Sequence, residues 1–109
     1  MITYIKQILE RNGEQRLYPL MRRKLDPVAQ ILYCEVPERS DELCDALIKG
    51  LAATEPIKHE WLCGYYVVGP ERTLVVSELP GYDGSCTVST EDFLNAAMNW
   101  KRDLNKLVS

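Results

Sequence analysis

The sequence predicts an α+β protein with N-terminal helices, an antiparallel β-hairpin in a small sheet, and a C-terminal amphipathic helix packed on that sheet. Two observations favour this fold class. Residues 61–68 and 72–79 are rich in strand formers and flank the turn sequence Gly69-Pro70-Glu71. Further along, apolar residues recur at helical spacing behind Ser89, a residue type that commonly caps helices.

Length and composition are those of an ordinary globular protein. The 109 residues are 46% apolar and 27% charged, so we expect residues 1–109 to form a single domain. No apolar run approaches the roughly 20 residues that cross a bilayer, and the N-terminus lacks the basic-then-apolar order of a signal peptide. We therefore expect no membrane partner and a cytoplasmic location, in which cysteines are reduced thiols.

Two short helices are predicted in the first 25 residues. Thr3 would cap a helix over residues 3–11, and Asn12-Gly13 would end it. Over residues 16–25 the apolar side chains again recur at helical spacing. Pro19 would lie in the first turn of this second helix, where a missing N–H is tolerated.

Residues 26–36 allow two interpretations. Asp26-Pro27 can cap and start a helix, whereas residues 31–36 are rich in strand formers and precede a proline. We favour a strand. Ser40 then caps a third helix, which carries Asp41 and Glu42 in its first turn and ends before Pro56.

The C-terminal half has the clearest pattern. Residues 80–84 are typical of a tight surface loop, and residues 86–88 of a short edge strand. Ser89 is expected to cap the last helix, with Val88 and Phe93 at the positions of a hydrophobic staple. One face of this helix is apolar and consists of Phe93, Ala96, Ala97, Trp100, Leu104 and Leu107.

The sequence contains no recognisable catalytic or cofactor-binding motif. His59 is the only histidine, which restricts any nucleophile–base pair to that residue. The acidic pairs Asp41-Glu42 and Glu91-Asp92 each open a predicted helix, where they complement its dipole. The cysteines are too far apart to match the short ligand spacing of zinc sites; they are Cys34, Cys44, Cys63 and Cys86. We predict no catalytic residue, no metal and no cofactor.

Charge is unevenly distributed along the chain. Residues 1–30 hold six basic and three acidic side chains, whereas residues 31–109 hold seven basic and thirteen acidic ones. An acidic surface favours a basic protein partner and opposes direct nucleic-acid binding. Aromatic side chains near acids would supply anchors for such a partner, with Trp61 and Tyr65 on one strand face and Tyr66 on the other. The candidate partner-binding residues are Trp61, Tyr65, Tyr66, Glu78, Tyr82, Asp83, Asp41, Glu42 and Asp45.

Residues 57–107 also carry a pattern of known type. The hairpin ends in Leu79-Pro80-Gly81-Tyr82-Asp83-Gly84, and Ser89-Thr90-Glu91-Asp92-Phe93-Leu94 and Trp100-Lys101 follow it. This pattern resembles the C-terminal part of small bacterial immunity proteins, including those of contact-dependent growth inhibition systems. The resemblance implies a non-enzymatic protein that binds and blocks one cognate toxin domain, such as a nuclease with a basic active site.

Two other classes of function stay open. One is a non-catalytic regulatory or scaffold module that forms a homodimer through a sheet edge. The other is a small enzyme that uses His59 or a cysteine.

Overall fold

The N-terminal residues form a β-hairpin. The computed structural model describes residues 1–108, and the side chains of Arg11, Leu107 and Val108 lie outside that description. Strand β1 (Ile5–Arg11) pairs antiparallel with β2 (Glu14–Leu20). Asn12 and Gly13 join them with φ values of 53° and 80°, the backbone that a two-residue hairpin turn requires. The helices predicted over residues 3–11 and 16–25 are therefore wrong, because Asn-Gly here reverses a strand.

A single 3₁₀ turn (Arg23–Leu25) leads into the long helix α1 (Asp26–Ala52). The strand favoured for residues 26–36 is wrong, and the alternative of a helix started by Asp26-Pro27 is the one observed. Burial explains this outcome. The buried positions Val28, Ile31, Leu32 and Val36 follow the helical repeat and face the core, so packing outweighs local strand preference.

Helix α1 is not regular throughout. Arg39 has non-helical backbone angles, φ −127° and ψ 33°, two residues after Pro37. Proline lacks the N–H that would bond to the preceding turn, so α1 is weakened next to this irregular residue. The helix predicted to begin at Ser40 is thus the second part of α1, and it ends at Ala52, ahead of Pro56 as expected.

Four strands follow in a sequential antiparallel sheet. They are β3 (Ile57–Trp61), β4 (Gly64–Val68), β5 (Arg72–Ser77) and β6 (Gly84–Ser89), in the order β3-β4-β5-β6. The hairpin of β4 and β5 around Gly69-Pro70-Glu71 is confirmed, and β6 is the expected edge strand. The single strand predicted over residues 61–68 is wrong, because Leu62-Cys63 turns the chain between β3 and β4.

Helix α2 (Thr90–Val108) closes the fold. Its predicted cap is confirmed, because the Asp92 N–H donates to Ser89 Oγ at 3.3 Å. Phe93 and Trp100 are completely buried, as an apolar face requires, while the predicted contribution of Leu107 lies outside the described residues.

Both helices pack on one face of the four-stranded sheet, and the C-terminal helix contacts β5 and β6. The α+β class and the packing of the C-terminal helix on the sheet are as predicted. Gly50 allows α1 to lie against β4, since a Cβ at that position would be 2.0 Å from Val68 Cγ1. The opposite face of the sheet carries half-buried apolar side chains from β4 and β5, namely Tyr65, Val67, Leu74 and Val76.

A buried hydroxyl chain ties the turn before β5 to the start of α2. Thr90 Oγ1 donates to the Gly69 carbonyl at 2.7 Å. Because its one hydroxyl proton is used there, Thr90 must accept the 2.7 Å hydrogen bond from Thr73 Oγ1. All three residues are buried, so the three polar groups depend on one another for partners.

Candidate protein-binding site

Three exposed carboxylates lie together on the second part of α1. Asp41, Glu42 and Asp45 are separated by one and three residues, which places them on one side of the helix, and we name them the acidic stripe. Asp41 Oδ1 accepts a 2.7 Å hydrogen bond from Lys101 Nζ on α2. This hydrogen bond, followed by the charge of Lys101, lowers the pKa of Asp41. Among the described residues no cation lies within 4.0 Å of the other two carboxylates, so Glu42 and Asp45 give the stripe its charge.

The stripe continues into a narrow cleft between α1 and the sheet. Glu42, Glu60 of β3 and the largely buried Glu35 all line this cleft, together with Arg39. Arg39 Nη1 lies 3.8 Å from Glu35 Oε2, and Glu35 Oε1 accepts the Leu62 N–H at 3.1 Å. The cleft is therefore lined by three carboxylates and one guanidinium, which gives it a negative formal charge.

Tyr66 forms one wall of the same cleft. Burial, followed by the charges of Glu35 and Glu42, raises the pKa of Tyr66 to about 12. The phenol is therefore neutral at physiological pH. Its ring stacks on the His59 ring with centroids 5.1 Å apart. The His59 ring therefore packs against the Tyr66 ring at the side of the acidic cleft.

The sheet register divides the predicted aromatic residues differently from the sequence expectation. His59 pairs with Tyr66 and Glu60 with Tyr65, so Trp61 lies on the face of Tyr66 and not on that of Tyr65. Trp61 and Tyr66 are each 6% exposed and belong to the core. Tyr65 is half-buried on the outer face, with Lys58 Nζ 4.5 Å from its ring centroid. Of these three aromatic residues, Tyr65 offers the most surface to a partner.

The loop predicted to carry recognition is exposed but lies elsewhere. Glu78 and Asp83 are exposed, and Tyr82 is 68% exposed. The Gln30 side chain holds this loop to the first turns of α1, since its Nε2 donates to the Tyr82 carbonyl at 3.1 Å. Gln30 and Asp41 are eleven residues apart, which is about 17 Å of helix. The nine predicted residues therefore do not form one site: the loop and the acidic stripe are separate.

An apolar groove beside that loop was missed by sequence reasoning. It has a volume of about 410 Å³ and lies between the β1–β2 hairpin, α1 and the loop. Apolar and aromatic side chains from all three segments line it, namely Leu9, Tyr18, Leu20, Tyr33, Leu79 and Tyr82. A prediction of helices over residues 3–11 and 16–25 conceals the groove, because the β1–β2 hairpin forms one of its walls.

The described residues provide no metal centre. Within residues 1–108, no group of three or more His, Cys, Asp or Glu side chains is placed to hold a metal ion. None of the helices in that part of the chain is long and apolar enough to span a bilayer. Comparisons with protein-family models, curated proteins and solved structures found no match to this chain.

Proposed function

We propose that this chain is an immunity protein, which binds a cognate toxin domain and blocks its basic active site. The observation that supports this most is the acidic stripe, in which Glu42 and Asp45 are exposed and have no cation within 4.0 Å among the described residues. Glu42 also borders the cleft that holds Glu35 and Glu60, so the negative charge extends from the helix towards the sheet.

A nuclease active site is the kind of partner that this surface suits. Such a site binds phosphate and is built with positive charge, and a row of carboxylates can occupy it in place of the nucleic acid. Tyr65 on the outer sheet face provides an aromatic contact close to Glu60, its neighbour in the register. On this proposal the protein acts in the cytoplasm by occupying the toxin, and it performs no chemistry.

The test uses a toxin domain encoded directly upstream of this chain, purified and titrated with the chain by calorimetry and by stopped-flow mixing. Glu42→Lys and Asp45→Lys should each slow association about tenfold or more at low salt, and the difference should shrink as salt rises. Glu55→Lys is the matched control, because it makes the same charge change at an exposed position beyond the end of α1. If both stripe variants bind and protect as well as the Glu55 variant, the acidic stripe is not the binding surface. If the wild-type chain neither binds nor neutralises that domain, the immunity function is refuted.

A scaffold module that forms a homodimer is our second candidate, and the β1–β2 hairpin favours it. Ile5 and Ile8 are 69% and 62% exposed on this two-stranded sheet, whose outer edges are unpaired among the described strands. Pairing with a second copy would cover one of these edges and give each isoleucine a neighbour on the added strand. Light scattering at micromolar concentration measures the oligomeric state. A wild-type dimer that becomes a monomer in Ile8→Lys supports this candidate. A monomeric wild-type chain refutes it.

A further inference from the structure

Two cysteines from distant parts of the sequence meet at the floor of the apolar groove. Cys34 lies on α1 and Cys63 in the turn between β3 and β4, and both line the groove. Their neighbours fix this arrangement, since the Leu62 N–H donates to Glu35 Oε1 at 3.1 Å. The Cys63 carbonyl also accepts the Glu78 N–H at 2.7 Å, which holds the turn against the end of β5.

The two thiols lie near each other in the groove. Burial raises the pKa of the Cys34 thiol to about 11, and the adjoining Cys63 thiol adds to that effect. Both cysteines are reduced and half-buried, and the open groove gives small molecules access to them. A pair of neighbouring thiols of this kind is able to react with a disulfide in two steps.

We propose that Cys34 and Cys63 form a thiol oxidation site, which takes a small disulfide such as glutathione disulfide and becomes an intramolecular disulfide between α1 and the β3–β4 turn.

The chemistry is a two-electron exchange. The Cys63 thiolate attacks one sulfur of the small disulfide, forms a mixed disulfide and expels one thiolate. Cys63 is expected to react first because it lies in a surface turn next to Leu62, which is 75% exposed. The Cys34 thiolate then attacks Cys63 Sγ and expels the second thiolate. The two cysteines lose two electrons and two protons in total, and the small disulfide is reduced to two thiols.

Oxidation would change the segment that carries the acidic stripe. The disulfide would close a loop over residues 34–63, which includes Asp41, Glu42, Asp45 and Glu60. Because a cross-link removes conformations from the unfolded chain, the oxidised protein should melt about 5 °C or more above the reduced one. The redox state would thereby set the stability of the fold that carries the acidic stripe.

The positions of lysine and arginine allow the four cysteines to be followed separately by peptide mapping. Trypsin cuts after Lys24, Arg39, Lys49, Lys58 and Arg72, which puts each of the four cysteines in a separate peptide. Cys44 lies beside Lys101 and Asp41, and Cys86 near Val28, so these two thiols serve as internal controls. The reduced full-length chain is incubated with glutathione disulfide at about pH 8.5, because Cys34 needs base to form its thiolate. Folding is checked by circular dichroism.

We expect the Cys44→Ser/Cys86→Ser variant to lose about 2 Da and to yield peptide 25–39 linked to peptide 59–72. Cys34→Ser should stop at the mixed disulfide on Cys63, about 305 Da heavier, and should yield no linked pair. The proposal is overturned if the folded Cys44→Ser/Cys86→Ser variant collects only mixed disulfides. It is equally overturned if Cys34 and Cys63 in the wild-type chain become linked to Cys44 or Cys86 instead of to each other.

Discussion

Replacing Thr90 by valine tests the buried hydroxyl chain. The structure predicts that Thr90→Val is less stable than both Thr73→Val and the double variant. Valine has nearly the shape of threonine, so Thr90→Val changes hydrogen bonding with little change in packing. It leaves two buried groups without partners: the Gly69 carbonyl, which loses its donor, and the Thr73 hydroxyl, which loses its acceptor. At about 1–3 kcal/mol for each of the two unsatisfied groups, we expect a loss of roughly 2–6 kcal/mol in the free energy of unfolding.

The reciprocal change is much milder. Thr73→Val removes a donor but leaves Thr90 bonded to the Gly69 carbonyl, so a loss of about 1 kcal/mol is expected. The double variant leaves the Gly69 carbonyl as its one orphan and should be more stable than Thr90→Val alone. A second mutation that restores stability is the distinctive outcome of this arrangement.

Urea unfolding measures all three variants, with the fluorescence of the buried Trp61 and Trp100 as the signal. The assignment of donors is refuted if Thr73→Val costs as much as Thr90→Val. It is also refuted if the losses of the two single variants simply add in the double variant.

Two further predictions concern packing and ionisation. Gly50→Ala should destabilise the protein by about 1–3 kcal/mol, although the same change usually strengthens a helix, because the added Cβ meets Val68 at 2.0 Å. Gly84→Ala is the matched control and should be neutral in the same urea assay, since nothing lies within 4 Å of its added Cβ. In an NMR titration the pKa of Asp41 should lie below the usual value for an aspartate side chain and should rise in Lys101→Met. A lowered carboxylate pKa stabilises the fold at pH values above the pKa of the unfolded chain, and this effect is lost as the pH falls through the lowered pKa. An unchanged Asp41 pKa in Lys101→Met would contradict the ion pair.

The sequence predicts the C-terminal half well because its signals are local. Ser89, the staple residues and the apolar repeat of α2 all act within a few residues of one another. The structure confirms the Ser89 cap and the burial of Phe93 and Trp100. The β4–β5 hairpin is marked by Gly69-Pro70 between two runs of strand formers. The turn at Leu62-Cys63 contains neither glycine nor asparagine and therefore escapes detection, so two strands are taken for one.

The N-terminal half is mispredicted because its local signals conflict with long-range packing. Ile5, Ile8 and Leu9 fit one helix face, yet Asn12-Gly13 is the stronger signal, since both residues accept positive φ. Residues 31–36 prefer strands locally, but in α1 their apolar members fill the core beneath the sheet. Such burial depends on strands that come more than 20 residues later, which no local pattern contains.

The candidate site was partly predictable for the same reason. The acidic stripe follows from three acids at helical spacing, which is local information. Whether Trp61 and Tyr66 face the core or a partner depends on the register of β3 and β4, which follows from the two-residue turn at Leu62-Cys63. The groove that contains Cys34 and Cys63 is lined by the hairpin, α1, the β3–β4 turn and the loop, which no local sequence pattern brings together.

The separation of the two sheets has a consequence for amide exchange. The β1–β2 hairpin shares no ladder hydrogen bond with the four-stranded sheet, and its strand β2 packs against α1. Its amides can exchange by opening the hairpin alone, while those of β4 and β5 wait for global unfolding. Slowed exchange confined to residues 5–20 in the presence of a partner would therefore locate that partner on the hairpin. Slowed exchange confined to α1 and β3 would instead locate it on the acidic stripe, so one measurement separates the two modes of binding.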